Sequence, residues 1–137
     1  MATECIFCKI VAGTIPCHKV AETDAEIAFL DIMPVTRGHV LVVPKRHVEC
    51  VTDAPPETMA NMMRLATRIA HAARAGLRCD GMNILVNSGA VAGQLVPHVH
   101  LHVIPRYEDD GVRIPWPHGS LDKSVAPELV SALRAHL

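Results

Sequence analysis

The run His98-Val99-His100-Leu101-His102-Val103-Ile104 constrains this chain more than any other segment, because imidazole and aliphatic side chains alternate along it. Successive side chains of an extended strand point to opposite faces. The spelling therefore sends three imidazoles one way and Val99, Leu101 and Val103 the other. The aliphatic face is expected to pack and the imidazole face to react. At ~3.3 Å per residue the outer two histidines lie ~13 Å apart along a strand, whereas zinc holds each ring nitrogen at ~2.0–2.1 Å. One ion cannot readily bind all three, so the row is expected to divide between separate tasks. A surface strand with histidines by chance is the plain alternative, but nine His in 137 residues is a loud compositional signal. It points to metal, phosphate or proton chemistry.

The length fits one domain, expected over residues 1–137 with a core over 5–106 and a C-terminal extension over 107–137, and excludes a barrel or a two-domain enzyme. Half the residues are hydrophobic and 20% charged, the balance of a folded chain rather than a disordered one. Thirteen basic against fourteen acidic side chains leave a formal net charge of −1. No sequence-wide field draws the chain toward nucleic acid or a membrane surface, so an anionic ligand has to be held locally. Five cysteines are an odd number for a disulfide scaffold, and residues 1–10 have neither a basic nor an apolar region of secretory type. With no apolar run of membrane length, a reduced, cytoplasmic protein is expected.

Residues 20–32 and 39–43 are predicted as adjacent antiparallel strands around a turn punctuated by Pro34 and Gly38. From Pro56 to Leu77 apolar residues recur at spacings of three and four, which predicts one long helix with Thr52 or Asp53 as its cap and Gly76 near its end. Residues 82–86 and 96–104 are further strand candidates, flanking a loop over 87–93. Strands, one helix, then strands is an α+β order. Beyond Arg106, Gly111, Pro115, Pro117 and Gly119 predict an irregular segment, closed by a short helix within 125–137.

Two other elements carry chemistry. Cys5-Ile6-Phe7-Cys8 can present two thiolates to a tetrahedral zinc, with histidine completing the set. A redox pair is the competing reading, although such pairs open a helix after a βαβ strand. The loop Asn87-Ser88-Gly89-Ala90-Val91-Ala92-Gly93-Gln94 precedes the histidine run, and its glycines and amides suit close approach to an anion. Cys17, Cys50 and Cys79 read as small apolar residues, and His18, His71, His118 and His136 as solvent-facing.

The spelling His-φ-His-φ-His-φ-φ at residues 98–104 resembles the histidine triad (HIT) family. The likeness extends through Cys5 to Ile10, Phe29-Leu30-Asp31-Ile32, Gly38-His39, Pro44-Lys45-Arg46-His47, Asn87 and Ala92-Gly93-Gln94, in the family's order. It implies a five-stranded antiparallel sheet with one long helix and short helices, and a homodimer joining two sheets into a ten-stranded one. The ligand implied is a purine nucleotide. His100 matches the nucleophile that forms a covalent nucleotidyl-histidine, and His102 the third histidine of the triad. His39 matches a phosphate-side partner, while Gln94 and Asn87, with Gly93 beside them, match phosphate and leaving-group contacts. Asp31 matches an acceptor of ribose hydroxyls, and Ile10, Phe29, Leu30 and Ile32 a base pocket. Zinc-bearing members use four ligands at the positions of Cys5, Cys8, His47 and His98. That closed set implies structural zinc, with no metal required for chemistry.

Among the branches, the chain resembles the purine nucleoside phosphoramidases, which implies hydrolysis or transfer on nucleoside 5′-phosphoramidates or adenylates. It departs from that pattern in three places. Leu95 stands where many members have a hydroxyl residue, Pro97 removes a backbone N–H before His98, and Trp116-Pro117 lies at a different spacing from a C-terminal Trp-Pro of that branch. Dinucleoside polyphosphate hydrolysis, a nucleotide-binding regulator with incidental catalysis, and a metal-centred hydrolase are the competing functions.

Overall fold

The computed structural model describes residues 4–113 and 116–137. Its centre is a five-stranded antiparallel sheet built from β1 (Lys19–Glu22), β2 (Glu26–Leu30), β3 (Val40–Pro44), β4 (Gly81–Leu85) and β5 (Leu101–Arg106). The strands lie in the order β1-β2-β3-β5-β4. The expected α+β class and the strand count implied by the HIT resemblance are both met.

The long helix, α2 (Pro56–Leu77), has the predicted bounds, but neither Thr52 nor Asp53 caps it. Pro55 holds the cap position and Pro56 opens the helix, where a missing N–H costs nothing because no intrahelical acceptor exists for it. Asp53 instead closes a short turn over Val51–Asp53. At the other end Gly76 lies near the end of the helix, as expected, and the left-handed residue that follows the last turn is Arg78, with φ 55°.

One sheet face packs on α2: Ala28, Val40, Val42, Val99, Leu101 and Val103 meet Met62, Leu65, Ala66 and Ile69. The opposite face carries a second core, in which Phe29, Leu41 and Val43 pack against Phe7 and Ile10 of α1 (Ile6–Val11). Period-two alternation in β3 and β5 splits the residues between the two layers, and the imidazoles of His98, His100 and His102 share the second.

Strand bounds depart most from expectation in two places, the others shifting by one residue. The stretch 20–32 is a hairpin rather than one strand. Thr23 turns the chain, accepting at its Oγ1 from the amides of Ala25 (3.3 Å) and Glu26 (2.9 Å). At the other end of the sheet, regular pairing in β5 begins at Leu101, not residue 96. Pro97 has no N–H to offer, and the chain ahead of Leu101 is held by Val99 N–H donating to the Val48 carbonyl at 2.7 Å. The inside-outside alternation nevertheless runs from His98 to Val103.

Gly38 ends the turn between β2 and β3 with φ +86°, and a Cβ there would collide with Leu77. Glycine at this position lets His39 enter the sheet directly below the end of α2. Past β5, Arg106 pairs with Asp110 at 2.7 Å. The tail then runs irregularly to α3 (Ala126–Arg134), the expected closing helix. Pro115 lies outside the described residues. Among those residues no helix is long and apolar enough to cross a membrane.

Candidate active site

His98, His100 and His102 leave a shared face for two destinations. His98 is fully buried, and its Nε2 sits 2.8 Å from the Pro44 carbonyl. A carbonyl only accepts, so Nε2 carries the proton and Nδ1 keeps its lone pair. That lone pair faces Cys5 Sγ at 3.3 Å, His47 Nδ1 at 3.2 Å and Cys8 Sγ at 3.6 Å. Cys8 Sγ lies 3.3 Å from His47 Nδ1. All four candidate ligand atoms fall within 4.8 Å of one another. A tetrahedron with Zn–N of ~2.0–2.1 Å and Zn–S of ~2.3 Å has edges of about 3.3–3.8 Å, so the set fits zinc in both chemistry and dimensions.

His100 takes the opposite tautomer. Its Nδ1 lies 2.7 Å from the carbonyl of His98 and must donate to it, which leaves Nε2 with the lone pair. Phe7 meets the ring edge-on at 5.1 Å between centroids and restricts its tilt. The His102 ring lies 4.9 Å away. His39, in turn, places its Nε2 2.9 Å from His102 Nδ1 and 3.6 Å from Asp31 Oδ2. Asp31 accepts from the Met33 amide at 2.8 Å through its other oxygen.

His39, His100 and His102 open onto a cavity of about 620 Å³. Ile10, Phe29, Leu30 and Ile32 line its apolar side, and Asp31, Asn87 and Gly93 its polar rim. Gln94 is the exception. Its Nε2 donates to the carbonyls of Glu49 (2.6 Å) and Val96 (3.0 Å), and its Oε1 accepts from the Gly89 amide (2.7 Å). It does not line the cavity; its amide is consumed in bracing the loop.

Burial depresses the basicity of all four of these imidazoles, since a cation loses solvation there. For His102 the shift is large, to about 4, with burial first and the neighbouring His100 and His39 adding to it. An unfolded histidine titrates near ~6.5, so between these values the unfolded chain takes a proton that the folded chain refuses. The associated stability is complete above ~6.5 and is lost as pH falls toward about 4, on the order of 3 kcal/mol for His102. Urea unfolding at pH 7 and pH 4.5 should show a steeper acid loss in the wild type than in His102→Asn; equal losses would contradict it.

Comparison with known proteins gives the arrangement its context. A family model described as the HIT domain matches residues 12–109. The chain belongs to the HIT family. The adenosine 5′-monophosphoramidase hnt1 of Schizosaccharomyces pombe is 41% identical over 130 residues, covering 94% of this chain and 92% of that protein. A crystal structure of a HIT family member from Bacillus subtilis superposes with a TM-score of 0.91 at 40% identity, covering 98% of this chain and 97% of the other. A Zn-bound histidine triad family protein from Mycobacterium smegmatis superposes with a TM-score of 0.79 at 43% identity, covering 98% and 96%.

Within this HIT fold, several contributors escaped the sequence reading. Phe7 was visible only as filler between two cysteines, yet it walls both His98 and His100. Cys17 packs as a small apolar residue, as expected, and also lines the cavity, and Trp116 reaches the same cavity despite its altered spacing. The Val35 amide, 3.0 Å from His39 Nδ1, has no sequence signal at all because any residue but proline supplies it. His18, His71, His118 and His136 are exposed, as expected.

Proposed function

We propose that this chain is a nucleotidyl hydrolase or transferase that cleaves purine nucleoside 5′-phosphoramidates, or related adenylates, through a covalent nucleotidyl-His100 intermediate. The observation that carries this reading is the His100 ring, whose Nδ1–H is tied to the His98 carbonyl while Nε2 keeps its lone pair in a nucleotide-sized cavity. Nε2 attacks the α-phosphorus, the P–N bond breaks, and the leaving nitrogen departs with the electron pair and takes up a proton. Water then attacks the phosphoryl-histidine, releasing the nucleoside monophosphate and restoring the neutral ring. Positive charge on the His100 ring during the first step is stabilised by the Nδ1–H bond to the carbonyl.

Asp31 takes the ribose hydroxyls, with Ile10, Phe29, Leu30 and Ile32 around the base. Asn87 and Gly93 serve the phosphate side, and Gln94 fixes that loop from behind. Cys5, Cys8, His47 and His98 would hold a zinc ion whose role is structural, tying the N-terminal segment to the reactive chain. The name of the S. pombe relative supports the phosphoramidate class. We further propose a homodimer in the cytoplasm. Edge strand β4 and the exposed Leu129 and Leu133 of α3 leave apolar and main-chain surface for a second copy. Leu95, exposed on the cavity wall without a donor, favours a second reading, a nucleotide-binding regulator with incidental turnover.

Rapid acid or base quench with adenosine 5′-phosphoramidate labelled at phosphorus distinguishes the two. The enzyme reading requires an acid-labile, base-stable label on His100. Nucleotide binding with neither adduct nor turnover would overturn it.

A further inference from the structure

His39 faces the cavity, but its two ring nitrogens are already committed. Nδ1 accepts the Val35 amide at 3.0 Å, and Nε2 lies 2.9 Å from His102 Nδ1 with Asp31 Oδ2 beyond at 3.6 Å. A backbone N–H can only donate, so Nδ1 of His39 cannot bear a proton. The one proton of the neutral ring is therefore on Nε2, where it points at His102 Nδ1. That nitrogen must accept, which puts the His102 proton on Nε2.

We propose that His39 is a positioning residue that transmits the polarity of the Val35 amide to His102, fixing His102 as a neutral Nε2–H donor beside the Nε2 lone pair of His100. Two adjacent rings thus present opposite polarities to one phosphoryl group: one nitrogen able to attack phosphorus, one N–H able to bind a non-bridging oxygen. The inference rests on the phosphoryl-transfer reading for its use in catalysis, but the tautomers themselves do not. It also settles a second question about the same residues. Asp31, His39 and His102 bring three ligand atoms within 4.8 Å of one another, close enough to suggest a metal. Binding a cation through His39 Nε2 would force its proton onto Nδ1, against the Val35 N–H. The cluster is a hydrogen-bond relay, and zinc should bind at one ion per chain, not two.

Long-range ¹H–¹⁵N spectra of the zinc-loaded wild type at pH 7.5, with no nucleotide added, read the tautomers directly. His102 should show a pyrrole-like Nε2 and a pyridine-like Nδ1, and His100 the reverse. His39→Gln keeps an amide N–H where Nε2 lies and should preserve the His102 pattern. His39→Leu should turn it into a mixture and lower kcat for adenosine 5′-phosphoramidate by about 10–100-fold with KM changed less than threefold. A His102 proton on Nδ1 in the wild type, a second tightly bound zinc, or equal kcat in the Gln and Leu variants would overturn the relay. Absence of turnover in the wild type would instead remove the catalytic reading and leave the tautomer result standing.

Discussion

His100→Ala is expected to lower kcat for a nucleoside 5′-phosphoramidate by at least about 10⁴-fold, because on the proposed mechanism it deletes the atom that bonds to phosphorus. Affinity for a nucleoside monophosphate should stay within about tenfold, since the proposed ground-state contacts lie mainly elsewhere, in the apolar pocket, Asp31, Asn87 and Gly93. Steady-state kinetics and isothermal titration of the same preparation separate the two effects. The ring contributes little to the fold's main core: it sits on the face opposite α2, against Phe7. A variant that retains turnover would remove His100 from the chemistry. One that loses both turnover and affinity, with an unchanged melting point, would show that His100 chiefly binds.

The second large effect belongs to Cys5→Ser. Cys5 is 7% exposed and its sulfur lies 3.3 Å from His98 Nδ1, so its loss opens a buried ligand set rather than a surface contact. Where metal binding is coupled to folding, removal of one ligand forfeits much of the binding energy. A melting temperature lower by more than about 10 °C is expected, given ~3–5 °C per kcal/mol for a chain of this size. Chelator treatment of the wild type should reproduce the drop and add nothing to the variant. The consequence should reach catalysis, because the carbonyl that fixes His100 belongs to His98, whose ring is one of the four proposed ligands. A zinc-free wild type by elemental analysis, with an unchanged melting point in the variant, would refute the site.

How much of this was legible in the sequence differs by type of interaction. Helix α2 was readable to the residue because its period and its Pro-Pro start act within a few positions of each other. The same local logic failed at its N-cap, where Asp53 belongs to the preceding turn and Pro55 holds the cap position. The hairpin at Thr23 has no glycine or proline to punctuate it, and its turn is made instead by Thr23 accepting from the Ala25 and Glu26 amides, a weaker local signal. The proximity of Cys5, Cys8, His47 and His98, a candidate ligand set, was accessible only through the family's spacing, since nothing local links position 5 to position 98. Gln94 was placed correctly in the loop but not in its role, because a side-chain amide bonds whatever the folded chain brings within reach, here Glu49, Val96 and Gly89.

Sequence by itself determined which side chains share a face: alternation from His98 to Val103 follows from the geometry of extended backbone, wherever regular pairing begins. It likewise determined one long amphipathic helix to cover the aliphatic side. Only the tertiary structure decided what each imidazole does. An imidazole's role depends on which nitrogen bears its proton, and that is dictated by the partner opposite the other nitrogen. Those partners are the carbonyls of Pro44 and His98 and the amide of Val35. Main-chain groups are chemically alike at every position, so folding alone selects among them.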